Sequence, residues 1–192
     1  MSRSSVIKWV LCGVVLVGLM LAVPAIHDNR ERKLEVYRAF VSAYSEGYRI
    51  NLANVTTRFD AETQGVISCA PTVLATTLVS RLFRTTTLNQ SDFPNSSIHI
   101  VDPEDQAAQV RIHDPGMNIS SESDIDRAVA DAFEAGLLQV SEVGFDVTGQ
   151  HAILTFSFTC GGLCGHSGTA LFDRVGDRWV WSQRSCGSVT IS

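Results

Sequence analysis

The chain has 192 residues, enough for one folded domain and an additional segment. With 45% hydrophobic and 18% charged residues it can build a core, which excludes a disordered chain. The net charge is -5 and the few Lys and Arg are dispersed without interleaved aromatics, which excludes a nucleic-acid-binding surface.

Arg3 and Lys8 precede an uncharged run from Trp9 to Ile26, and His27 to Lys33 turns abruptly polar. A basic start followed by an apolar run reads as a signal-anchor or signal peptide over residues 1–27. The run of 18 residues, 9–26, is close to the minimum that spans a bilayer as a helix, so the membrane is the expected partner. Val23-Pro24-Ala25 offers a small-residue cleavage site, and cleavage there would release the protein to the periplasm. Uncleaved, the segment would hold a single-pass protein whose 28–192 domain is extracytoplasmic. Cys12 lacks the small residue expected before a lipidated cysteine and reads as apolar filler.

Leu34, Tyr37, Val41, Tyr44 and Tyr48 recur at three- and four-residue intervals, with Phe40 on the same side. That spacing predicts an amphipathic helix over 31–48. Val55 to Phe59 is β-prone. Pro71 suits a first helical position, and Val73, Leu74, Leu78, Leu82 and Phe83 predict a second helix over 71–84. A loop rich in turn residues follows from Asn89 to Ser97. Ile98 to Val101 and Gln109 to Ile112 read as two short strands, with Asp102-Pro103-Glu104-Asp105 as the turn between them. Ser121 with Asp124 matches a capping box for a third helix over 122–138, with Ile125, Ala128, Val129, Ala132 and Phe133 as its apolar face.

From Val140 the apolar period changes to two. Val143, Phe145 and Val147 alternate, then come strands at 152–159, 169–175 and 178–182 joined by short turns, an antiparallel meander. Trp179 and Trp181, two apart, share one strand face and read as core. The fold class expected is therefore α+β: an N-terminal membrane helix, then helices on one face of an antiparallel sheet ending in a C-terminal β-meander.

The densest local chemistry is Cys160-Gly161-Gly162-Leu163-Cys164-Gly165-His166-Ser167-Gly168. Leu137, Ser141 to Phe145, Ala152, the Cys160–Gly165 segment, Arg174, Gly176 and Trp179 together resemble an uncharacterised family of exported bacterial proteins with a GF…A…CGxLCG…G.W pattern. The resemblance covers residues 85–192 and implies export; it brings no activity, cofactor or catalytic residue. The chain departs from that pattern at His166, where relatives have glycine, and at its end, where Ser185-Cys186-Gly187-Ser188 replaces a Trp-Ser pair.

Five cysteines are present, and Cys69, Cys160, Cys164 and Cys186 lie outside the apolar N-terminal run. In an oxidising compartment these four are disulfide candidates: Cys160 with Cys164 across the glycine turn would leave Cys69 for Cys186. A second reading makes Cys160, Cys164 and His166, with Cys186 or His151, a zinc site. A third makes the pair a thiol-redox switch, although the spacing is not Cys-x-x-Cys. No catalytic constellation emerges. His166 beside Ser167 lacks the nucleophile elbow, His99, His113 and His151 stand alone, and Asp173 and Asp177 read as solvated turn carboxylates. The expected function is non-catalytic binding of a protein partner or small ligand, without a cofactor; the alternative is a metal-binding or thiol-redox protein using the Cys160/Cys164/His166 segment.

Overall fold

The computed structural model describes residues 30–45, 48–59, 85–94, 97–118, 121, 124–146, 148–162, 164–182 and 190–191. The expected membrane run 9–26, the helix 71–84, Cys69 and Cys186 lie outside the described residues. Among the described residues no helix is long and apolar enough to cross a membrane. The chain divides into two compact units, 1–35 and 36–192. Of the first, residues 30–35 are described; they are helical and carry an exposed Arg30–Glu31 ion pair. The second holds every strand among the described residues.

The helix α1, residues 30–45, is the amphipathic element expected, ending earlier than its apolar spacing suggests. Val36, Tyr37, Phe40 and Val41 are buried, whereas Tyr48 lies beyond the helix and is 76% exposed. Strand β1 (Ile50–Ala53) then lies parallel to β2 (Ile98–Val101) on one side and to β3 (Leu137–Val140) on the other. The sheet is thus mixed, not purely antiparallel. Val55 and Thr57, expected in a strand, make only isolated bridges to Thr87 and Ser141.

The second correction concerns residues 103–112. They form helix α2 (Pro103–Ile112) rather than a turn and a strand. Asp102 accepts hydrogen bonds from the backbone N–H of Glu104 and Asp105, and Pro103 occupies the first helical turn, where its missing N–H costs nothing. Only Val110 of α2 is buried, against Ala53 and Leu137. A four-residue helix α3 (Pro115–Asn118) follows, then α4 (Ile125–Ala135). Ala128 and Ala132 are buried on α4, whereas Ile125, Val129 and Phe133, expected on the buried face, are 40%, 37% and 53% exposed. The Ser121 hydroxyl donates to the Asp124 carboxylate at 2.6 Å. The carbonyls ending α4 are satisfied from elsewhere: Asn51 donates to Glu134 and Gly136, and Gln106 donates to Ala135.

The meander is as expected and longer. Strand β4 (Gly144–Phe145) pairs with β5 (His151–Gly161), β5 with β6 (Cys164–Val175), and β6 with β7 (Arg178–Trp181) and with β8 (Thr190–Ile191). The main path of the sheet runs β2-β1-β3-β5-β6-β7. Gly176, at φ 62°, supplies the left-handed turn between β6 and β7.

Helices cover both faces of this sheet, not one. Side chains alternate along β3, so Val140, opposite Phe156, and Leu137 point to opposite faces. Phe40 of α1 packs on Phe156, whereas Val110 of α2 packs on Leu137. At the outer edge of β2, the Gln90 side-chain amide donates to the Ile98 carbonyl at 2.8 Å and accepts from the Ile100 N–H at 3.0 Å.

Candidate functional site

The long β5–β6 hairpin carries the cysteine segment at its tip. Cys160 and Cys164 stand at disulfide distance, with Cα atoms 5.0 Å apart. Cys160 is fully buried and Cys164 half-buried. The tip is docked on the α2–α3 connection: the Asp114 carboxylate accepts from the Gly162 N–H at 2.8 Å and from the Gly116 N–H at 2.9 Å. Gly161, at φ 151°, lies so close that an added Cβ would sit 2.9 Å from both Asp114 Oδ1 and Pro115 Cδ. Glycine is therefore required there by contact as well as by backbone conformation.

His166 lies opposite Phe158 in the hairpin, and its Nε2 is 2.8 Å from the Tyr44 hydroxyl, brought in by α1. Among the described residues no group of three or more His, Cys, Asp or Glu gathers as a metal site. The other histidines are dispersed: His99 is exposed on β2, His113 bonds the Gln109 carbonyl, and His151 pairs with Asp173 at 2.8 Å. The reading of His151 and Asp173 as unconnected is thus corrected, because the hairpin register sets them directly opposite one another.

Around His166 the hairpin and α1 assemble a continuous set of rings. Phe156 is its centre, with ring centroids 5.1 Å from Phe40, 5.5 Å from Tyr44, 6.0 Å from His166 and 6.4 Å from Trp181. Phe158 extends the set from His166 to Phe133, and Phe172 flanks Trp181. Phe40 and Phe156 are buried, whereas Tyr44, His166 and Trp181 are half-buried, so the set has an apolar floor and a rim that reaches solvent. Burial pushes the Tyr44 phenol up to about 12, so it stays neutral and exchanges a hydrogen bond with His166 without carrying charge. Gly168 lies opposite Phe156 and contributes no side chain to that part of the face. Trp181, expected in the core, belongs to this rim; Trp179 is buried against Phe145.

A second polar cluster is not foreshadowed by any sequence motif. Between β3 and β4 the chain carries one residue more than β5: Val140 faces Phe156 and Gly144 faces Ile153, so Ser141, Glu142 and Val143 bulge. Glu142 is 4% exposed. Its carboxylate accepts from the Thr56 hydroxyl and from the Thr86 N–H, while the Tyr37 hydroxyl donates to the Ser141 carbonyl. Burial first, and then the charge of Glu142, hold the Tyr37 phenol well above its ordinary value. Tyr37 and Glu142 are both buried, and the cluster satisfies the Ser141 carbonyl of the bulge and the Thr86 N–H beside it.

The aromatic rim is the arrangement suited to a ligand, since recognition sites are lined mainly by apolar and aromatic groups with a few placed polar atoms. No protein-family model, curated protein or solved structure matches this chain.

Proposed function

We infer that this chain is an exported, membrane-tethered domain that binds a small ligand or protein partner without turning it over. The tether is residues 9–26, and the domain stands on the extracytoplasmic side, or free in the periplasm where the signal is cleaved. The resemblance of the Cys160–Gly165 segment to an exported family, and a cysteine pair at disulfide distance, support that compartment.

The observation that carries binding is the half-buried rim of Tyr44, His166 and Trp181 around Phe156. The test is a screen of small fragments against the full chain in lipid nanodiscs, read by nuclear magnetic resonance of the Trp181 indole N–H and the His166 ring. Fragments that shift both signals saturably support the reading. A screen in which neither signal moves removes it.

A thiol-redox role is the second reading, favoured by the partial exposure of Cys164, since an accessible sulfur is the one an external thiol attacks. Intact mass after alkylation, with and without reductant, separates the two. A pair that resists glutathione supports a structural staple; ready exchange supports the switch.

A further inference from the structure

Helix α4 buries small side chains and exposes large ones. Ala128 and Ala132 are buried, and Ile125, Val129 and Phe133 stand beside them, exposed. Four residues advance an α-helix by about 6 Å and turn it about 40° past one revolution, so these three form one continuous row. The next row round the helix, one residue on, is Asp126, Ala130 and Glu134, all exposed. Neither Asp126 nor Glu134 forms an ion pair among the described residues, whereas Asp124, at the start of the helix, is paired with Arg127 at 2.6 Å. The helix thus presents an apolar ridge and, parallel to it, an acidic ridge with a small residue at its middle.

The apolar row is held in place before anything reaches it. The carbonyls ending α4 are fixed by Asn51 and Gln106. The Phe133 ring stacks on Phe158, with centroids 5.6 Å apart and planes at 21°, which limits the freedom it gives up on binding. A ridge of four-residue spacing interlocks with the same ridge on another helix. The charges select which helix. An acidic ridge beside the apolar one favours Lys or Arg beside the partner's own apolar row. A bilayer surface would set lipid phosphates against those carboxylates instead, and like charges repel. A second copy, laid antiparallel with Val129 on the two-fold axis, would set Asp126 against the copy's Glu134. Three side chains cover less than a standard interface, so the complex is a transient one.

We propose that the Ile125–Val129–Phe133 face of α4 docks a basic amphipathic helix of a protein partner, apolar row on apolar row, with the partner's Lys or Arg against Asp126 and Glu134. This goes beyond the reading of the aromatic rim and needs nothing bound there.

The test uses the full chain in zwitterionic nanodiscs, with isoleucine and valine methyl groups labelled for nuclear magnetic resonance. The probe is a synthetic alanine–glutamine helix bearing one row of leucines with a row of lysines beside it. Saturable shifts of the Ile125 and Val129 methyl signals are expected. The same helix with glutamate in place of lysine should bind at least about threefold more weakly. Phe133→Ala should weaken binding of the lysine helix at least about fivefold, the loss typical of truncating an aromatic anchor. Asp126→Asn with Glu134→Gln, which touches only exposed carboxylates, should weaken it about two- to tenfold and flatten its salt dependence. Circular dichroism spectra matching the parent show that these variants fold. Absence of shifts with the lysine helix overturns the proposal. Equal binding of the lysine and glutamate helices overturns it too, as does binding that Phe133→Ala and the double charge variant leave unchanged. Nuclear Overhauser contacts in the chain without the probe decide the other occupants. Contacts from the Ile125 and Val129 methyls to lipid chains, to a second copy in a mixed-label sample, or to residues 60–84 of the same chain show the face already covered, and each overturns the proposal.

Discussion

Replacing Gly136 by alanine sets two known effects against each other. Gly136 follows α4 at φ -56°, a backbone conformation alanine adopts freely. By itself that change would stabilise the protein by about 0.4–1 kcal/mol, because alanine has fewer unfolded conformations to lose. The new Cβ, however, would lie 2.3 Å from Cζ and 2.6 Å from Cε2 of Phe158, well inside contact distance. The Phe158 ring is 7% exposed and stands 5.6 Å from Phe133 on one side and 5.6 Å from His166 on the other. It cannot retreat without displacing one of them, and overpacking of that kind costs about 1–3 kcal/mol. The steric term wins, and a net loss of about 0.5–2 kcal/mol is expected, each kcal/mol lowering Tm by about 2–4 °C. Thermal melts of the parent, Gly136→Ala, Phe158→Leu and the double variant measure it. The double variant should lose less than the sum of the singles, because the smaller side chain vacates the space the Cβ needs. A Gly136→Ala protein that melts at or above the parent temperature, or single losses that simply add, would refute the reasoning.

Other outcomes follow from the same geometry. Joint substitution of Cys160 and Cys164 by serine should cost about 2 kcal/mol, the loop-closure value for so short a loop, read as a lower denaturant midpoint; alkylation of the parent should mark these two positions only after reduction. Glu142→Ala leaves the Thr56 hydroxyl without its acceptor in a closed site, while the Thr86 N–H keeps the Thr56 Oγ1 at 2.8 Å, and should cost about 1–3 kcal/mol in chemical denaturation. Asp146 contributes to the acid limb of stability. Burial would raise its carboxyl, but hydrogen bonds from the Thr148 hydroxyl and the N–H groups of His151 and Gln150, with the charge of His151, outweigh that and lower it. A folded value below the unfolded one contributes stability that is present above about pH 4 and lost as pH falls through the folded value. Asp146→Asn should therefore flatten that loss in melts taken between pH 5 and pH 2; an unchanged acid limb would count against the assignment.

The elements legible in the sequence are those whose apolar period is carried by large side chains. Tyr37, Phe40 and Val41 give α1 its spacing, and the alternation through Phe156 and Phe158 gives β5. Helix α2 misleads because it buries only Val110, so its sequence has no helical stripe; Gln109-Val110-Arg111-Ile112 alternates like a strand, and Asp102-Pro103 serves a turn as readily as a cap. The parallel pairing of β1 with β2 joins residues 50–53 to 98–101, and nothing local to either segment specifies a partner so distant. The cysteine pair is readable because its two members are neighbours in sequence. Tyr44 and His166 are 122 residues apart and Thr56 and Glu142 86 apart, so each pairing follows from the fold and not from spacing. The one hint at the aromatic rim is the pair of tryptophans, which parity places on one face without saying which of them reaches water.

The Gln90 amide at the border of β2 has a consequence for behaviour at high concentration. A strand at the margin of a sheet presents unsatisfied N–H and C=O groups that another chain can adopt. Gln90 fills two of those slots from within, one as donor and one as acceptor, as a single residue of a neighbouring strand would. An incoming chain must therefore expel this side chain before it can extend the ladder from that margin. Self-association by strand addition meets an internal competitor there, and the protein carries against polymerisation a guard one side chain long.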